Sequence, residues 1–174
     1  KEGTPQGGII SPTLANMALD GLEAVANAVR PRGHRINVVR YADDFIITGI
    51  SKEVLEDEVK PVVEEFLMER GLTLSREKTA ITSIDQGFDF LGFNIRKYDG
   101  KLLIKPTKES IKRLLEKARN IIKHYVGQET SVLIKCLNPV LRGWCYYYRS
   151  VVSKQTFSYI DDCVYCALAK WTVR

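Results

Sequence analysis

Hydrophobic positions alternate between helical and strand-like spacing over the first hundred residues, and after Pro106 the pattern is wholly helical. Leu14, Ala15, Ala18, Leu19, Leu22 and Val25 recur at helical spacing until Pro31-Arg32-Gly33 stops the run. Ahead of them lies the turn-rich loop Thr4-Pro5-Gln6-Gly7-Gly8. Ser11-Pro12 then supplies an N-cap with proline at the first helical position, so one helix is expected. Val38-Val39 and Phe45-Ile46-Ile47 read as two strands buried on both faces, joined by the short turn Ala42-Asp43-Asp44. Residues 54–70 form an amphipathic helix carrying Leu55, Val59, Val62, Val63, Phe66 and Leu67 on one side. Pro61 is expected to bend it and Gly71 to end it.

Residues 72–75 and 79–84 are strand candidates. Phe88-Asp89-Phe90-Leu91-Gly92-Phe93-Asn94-Ile95 mixes aromatic with small or polar residues before an Asp99-Gly100 turn and a returning strand over 102–104. Beyond Pro106, Ile111, Leu114, Leu115, Ala118, Ile121, Ile122 and Tyr125 make one apolar stripe. Lys108, Lys112, Lys117, Arg119 and Lys123 fall largely outside it. A second helix begins with Leu133, Cys136 and Leu137, and Asn138-Pro139 is expected to restart it with a cap. Leu141, Trp144 and Tyr148 continue its apolar face, where Gly143 permits close approach. A third helix runs from about Thr156 through Ile160, Val164, Ala167, Leu168 and Trp171. The fold class expected is α+β: an antiparallel sheet with packed helices, followed by an all-α helical bundle.

Composition adds a division that the apolar pattern does not carry. The 174 residues are 45% hydrophobic with mean hydropathy −0.14, as in an ordinary globular chain. No apolar run is long enough to span a membrane, no signal peptide is recognisable, and the chain reads as a piece of something longer. The net charge of +5 hides two halves. Residues 1–99 hold 12 Lys and Arg against 16 Asp and Glu; residues 100–174 hold 14 against 5. Net −4 and net +9 imply different partners, and the basic part would draw a polyanion unless its charge is merely a solvated face. Cys136, Cys145, Cys163 and Cys166 show no disulfide spacing, which fits a reducing cytoplasm. Cys163-Val164-Tyr165-Cys166 lacks a second pair and reads as helix packing, with zinc or redox chemistry as the alternative.

The chemistry-bearing residues are few. Asp43 and Asp44 sit at a hairpin tip, where the turn breaks the strand alternation that would otherwise send adjacent side chains to opposite faces. Neighbouring carboxylates suit a hard divalent cation such as Mg2+, and two-metal nucleotidyl transfer uses acids that hold two ions about 4 Å apart. A solvated Asp-Asp turn explains the same residues. The Gly7-Gly8 loop before a helix offers backbone N–H groups to a nucleotide or template. Lys78 could neutralise phosphate or protonate a leaving group, or be a surface lysine.

In combination these stretches resemble the reverse transcriptases encoded by group II introns, also called maturases. TPQGGIISPTLANMALDGLE is similar to the segment whose Gln-Gly loop and helix lie beneath nucleotide and template, which gives Gln6, Gly7 and Gly8 that role. YADD, residues 41–44, resembles the catalytic hairpin: Asp43 and Asp44 as metal carboxylates, Tyr41 and Ala42 beside nucleotide and template. Lys78 in SREKT resembles the palm lysine near the triphosphate. GFDFLGF, residues 87–93, resembles the primer grip, with Phe90, Leu91 and Gly92 at its centre. NPVLRGWCYYYR, residues 138–149, resembles the thumb or X region, and it is this motif that separates the group II class from other template-dependent polymerases.

The resemblance implies that residues 1–99 are the C-terminal part of a polymerase palm and 100–174 a thumb helical region that is cut short. It further implies Mg2+ or Mn2+, deoxynucleotides, an RNA template with a DNA primer, and intron RNA as partner, with no membrane. Lys108, Lys112, Lys123, Arg142 and Tyr146 are the residues expected to grip RNA. A further metal aspartate and the fingers lie, in that family, upstream of the Gln-Gly loop, so this stretch by itself is expected to be inactive. A polymerase-inactive RNA-binding module and the palm of another polymerase are the alternatives. Asp43-Asp44 argues against the first, Ala42 and the Trp144 motif against the second.

Overall fold

The structure is a computed structural model that describes residues 9–29 and 36–173. Gln6, Gly7 and Gly8, and the helix stop at Pro31-Arg32-Gly33, lie outside the described residues. Contacts divide the chain into two compact units, residues 1–82 and 83–174. The division drawn from charge falls elsewhere, in the turn Asp99-Gly100.

In the first unit the single expected helix is two, α1 (Ser11–Ala18) and α2 (Leu22–Ala28). Gly21, at φ 89°, reverses the backbone between them, a conformation that costs glycine little. The break lets Leu19 and Leu22 both reach the core, while Leu14 and Met17 stay exposed and α1 buries nothing. Ser11 is inside α1 rather than at its cap; Ile10 holds that position and makes no side-chain cap. Strands β1 (Asn37–Tyr41) and β2 (Asp44–Thr48) pair antiparallel, with Val38 opposite Ile47 and Tyr41 opposite Asp44. They are not buried on both faces as expected. Val38, Phe45 and Ile47 pack on the core of Leu22, Ala26, Val63 and Phe66, whereas Val39 is 55% exposed, since one face of this two-stranded sheet has no covering layer among the described residues.

The next helix is α3 (Lys60–Met68), preceded by a π-helical turn, Val54–Val59. Pro61 explains the wide turn, because its ring clashes with the carbonyl four residues back and a π-turn moves that carbonyl away. Val59, Val63, Phe66 and Leu67 are buried. Gly71 at φ 69° closes the helix as expected, with Leu72 N–H donating to the Leu67 carbonyl (2.9 Å). The expected strands over 72–75 and 79–84 do not form. Turns form at Ser75 and Ser83 instead, through Thr79 N–H to Ser75 O (2.9 Å) and Gly87 N–H to Ser83 O (3.0 Å), and Ile84 O accepts from Lys97 N–H (2.9 Å).

The second unit opens with a three-stranded antiparallel meander of β3 (Phe88–Phe90), β4 (Phe93–Tyr98) and β5 (Lys101–Pro106). The β4–β5 turn is Asp99-Gly100, both with positive φ, the two-residue form that Asp-Gly favours. Thr107 caps α4 (Lys108–His124), its Oγ1 accepting from Ser110 N–H at 3.1 Å. α5 (Thr130–Tyr148) passes through Pro139 without the expected restart. Pro139 and Lys135 are both exposed, so water can serve the carbonyl that proline leaves unpaired, while buried Leu133 and Leu137 hold the helix in register. Gly143 does not mark a close approach, for a Cβ there would meet nothing within 4 Å. α6 is Lys154–Thr172. The core joins Leu114, Ala118 and Ile122 of α4, Leu133 and Leu137 of α5, and Ile160 and Val164 of α6.

Candidate functional site

The first hairpin is tight because only Ala42 and Asp43 separate the paired Tyr41 and Asp44. Asp44 is therefore the first residue of β2, not part of the turn. It shares the exposed face with Tyr41, Val39 and Ile46, and both carboxylates are open to solvent. Ala42 has φ 54°, a strained value for a residue with a Cβ. One side chain sustains it: Arg40 Nη1 donates to the Ala42 carbonyl at 3.2 Å and to Asn16 Oδ1 of α1 at 2.8 Å. Arg40 and Asn16 were invisible as site residues in the sequence, since only the register puts Arg40 on the inner face with Phe45 and Ile47.

Two exposed carboxylates at one tip are oxygen donors of the kind a hard cation prefers, and so fit a divalent ion in part. No group of three or more His, Cys, Asp or Glu side chains is gathered for a metal among the described residues. Lys78 stands exposed in the turn that begins at Ser75.

The second hairpin brings Phe90, Leu91 and Gly92 together. Phe90 pairs with Phe93, leaving Leu91 (φ 50°) and Gly92 (φ 81°) as a two-residue turn. α5 supplies its anchors. Tyr147 donates to the Leu91 carbonyl (2.9 Å) and Tyr148 to the Gly92 carbonyl (2.9 Å), while Phe93 stacks on Tyr147 with centroids 5.0 Å apart.

The basic side chains expected to grip RNA stand on the outer faces of α4 and α5. Lys108, Lys112 and Lys123 are exposed, and none is in an ion pair among the described residues. Arg142 and Tyr146 are one helical turn apart, both exposed, and Arg149 reaches back over the Tyr146 ring at 5.4 Å. Lys123 also rims a groove between α4 and α6 with Arg119, Tyr159 and Cys166. Cys163 is packed on the core and Cys166 exposed, and all four cysteines are free. Burial, reinforced by Asp161, pushes the Cys145 thiol up.

The hairpin tip of the first unit is acidic, and the helices of the second unit carry exposed lysine and arginine. Residues 1–95 match the family of reverse transcriptases (RNA-dependent DNA polymerases), and residues 111–174 the group II intron maturase-specific domain. The chain belongs to the reverse transcriptase family, in the branch encoded by group II introns. It is 29% identical over 154 residues to protein YkfC of Escherichia coli K12, covering 68% of this chain and 38% of that protein. It is 25% identical over 234 residues to the group II intron-encoded protein LtrA of Lactococcus lactis subsp. cremoris, covering 84% of this chain and 39% of LtrA. An uncharacterized 91 kDa protein in the cob intron of Schizosaccharomyces pombe is 27% identical, covering 91% of this chain and 23% of that protein. The chain thus spans about two-fifths or less of the curated relatives it matches. No helix among the described residues is long and apolar enough to cross a membrane.

Proposed function

We propose that this chain is part of an RNA-directed DNA polymerase that also binds the intron RNA from which it is encoded, assisting splicing and mobility. The observation that carries the reading is the exposed Asp43-Asp44 pair on a tight hairpin whose strained turn is held by Arg40, within the stretch that matches the reverse transcriptase family. Residues 1–99 act as the later part of a palm and residues 100–174 as a thumb. Asp43 and Asp44 would hold Mg2+, or Mn2+ in its place; when bound, such ions activate the primer hydroxyl and neutralise the leaving pyrophosphate. Tyr41 and Ala42, with Gln6, Gly7 and Gly8, would line the nucleotide and template, and Lys78 would meet the triphosphate. The turn Phe90-Leu91-Gly92 would support the primer end.

Two carboxylates cannot complete the shells of two ions and no third acid is gathered with them among the described residues, so the 174 residues alone are expected not to polymerise. The net +9 of residues 100–174 supports RNA as the partner of the helices, with Lys108, Lys112, Lys123, Arg142 and Tyr146 exposed for it. The cytoplasm, where cysteines stay reduced, is the proposed location. Primer extension on an RNA template with deoxynucleotides and Mg2+ tests the reading. The natural full-length protein should extend the primer and its Asp43→Ala variant should not; equal extension by both would overturn it.

A further inference from the structure

The turn Leu91-Gly92 is held in a conformation that its own sequence resists. Leucine at φ 50° is strained, and Gly92 follows at φ 81°. Both carbonyls are taken by partners from outside the hairpin. Tyr147 Oη–H donates to Leu91 O at 2.9 Å; Gly92 O accepts from Tyr148 Oη at 2.9 Å and from Thr107 N–H at 3.0 Å. The Tyr148 hydroxyl has a single proton and a carbonyl can only accept, so that proton goes to Gly92. The 2.8 Å contact between Tyr148 Oη and Ser110 Oγ then runs with serine as donor, and Ser110 Oγ accepts in turn from Trp144 Nε1–H at 3.0 Å. A directed chain of hydrogen bonds therefore runs from Trp144 on α5, through Ser110 on α4, back to Tyr148 and on to the turn.

The rings add a second constraint. Phe93 lies 5.0 Å from Tyr147 and 5.1 Å from Tyr148, and Tyr148 is 4.3 Å from Trp144. Tyr148 is only 3% exposed. A Cβ built on Gly92 would sit 2.6 Å from the Tyr148 hydroxyl oxygen but 3.8 Å from the ring carbon that bears it. The hydroxyl, not the ring, occupies the space that a side chain at residue 92 would need.

We propose that Tyr147 and Tyr148 are positioning residues that fix the Leu91-Gly92 turn to α5, so that the helix sets where a primer end on that turn lies. The primer part rests on the polymerase reading above; the clamp does not. Tyr148→Phe keeps the ring contacts and removes the two hydroxyl bonds, whereas Gly92→Ala keeps the hydroxyl and drives a methyl against it. Combining them takes away the atom that clashes.

The test uses the natural full-length protein carrying Tyr148→Phe, Gly92→Ala and the double substitution. Hydrogen exchange of the turn amides and single-nucleotide addition to a primer on an RNA template are measured for each. For Tyr148→Phe, exchange at residues 91–93 should rise about tenfold, the loss expected of one to two net hydrogen bonds, with α6 unchanged. The addition rate should fall while the KM for deoxynucleotide stays within about twofold, which a general loss of folding would not produce. The double variant should add nucleotides faster than Gly92→Ala alone. Unchanged exchange at the turn overturns the clamp. An active wild type with an unaffected Tyr148→Phe rate, or Gly92→Ala and Tyr148→Phe defects that simply multiply, overturns the positioning role. A wild type that extends no primer overturns the polymerase reading and the primer part with it, while the exchange measurement still decides the clamp.

Discussion

Trp144 separates packing from hydrogen bonding in a way that two substitutions can read. Its indole is half-buried, lies 4.3 Å from the Tyr148 ring and 6.0 Å from Phe157, and its Nε1–H donates to Ser110 Oγ at 3.0 Å. Truncating a fully buried aromatic to alanine costs about 3 to 5 kcal/mol, and partial exposure puts this site at the lower end of that range. The hydrogen bond is about 1 kcal/mol of the total. Trp144→Ala should therefore destabilise the unit of residues 83–174 by about 3 kcal/mol, and Trp144→Phe, which keeps a ring but no donor, by about 1 to 1.5 kcal/mol. For a unit of this size each kcal/mol moves the melting midpoint by about 4 to 8 °C, so the alanine variant should melt more than about 12 °C lower. Urea unfolding followed by near-ultraviolet circular dichroism gives both free energies. If alanine cost under about 1 kcal/mol the indole would not pack as described, and if phenylalanine cost as much as alanine the division between packing and hydrogen bonding would be wrong.

Asp43→Ala in the natural full-length protein should lower nucleotide incorporation by several orders of magnitude with thermal stability and RNA affinity nearly kept; a near-normal extension rate would return the pair to a solvated turn. Charge reversal of Lys112 and Lys123 should weaken RNA binding at low salt and flatten its dependence on salt, since fewer counterions are released; an unchanged slope in a filter-binding titration would make that face a mere solvated surface. Exposed Cys166 should react with iodoacetamide fastest of the four thiols and Cys145 slowest. Burial raises the Cys145 pKa, so its thiolate forms only at higher pH and its labelling should catch up as pH rises; mass spectrometry showing equal rates at pH 8 would contradict this.

The elements that the sequence determined are those whose own side chains carry the signal. The apolar stripe of Ile111, Leu114, Leu115, Ala118 and Ile122 made α4 legible, Asp99-Gly100 the β4–β5 turn, and Gly71 the end of α3, because period, left-handed turn chemistry and capping are local properties. YADD, GFDFLGF and the Arg-Gly-Trp run identified the family for the same reason: they are contiguous. Contiguity failed elsewhere. Residues 72–75 and 79–84 have strand-like composition, yet a strand needs a ladder of pairs, and beyond the single bond from Lys97 N–H to Ile84 O none forms among the described residues. Asn138-Pro139 should have restarted α5 by propensity, but burial of Leu133 and Leu137 before it and Tyr148 after it outweighs one lost bond at an exposed site. The break at Gly21 exists because it lets Leu19 and Leu22 share one core, a requirement set by α3 more than forty residues away. Arg40 holding the Ala42 carbonyl, and Tyr148 holding the Gly92 carbonyl, join positions 2 and 56 apart in sequence. The first needs a strand register and the second a packed helix, and only the folded chain supplies those distances.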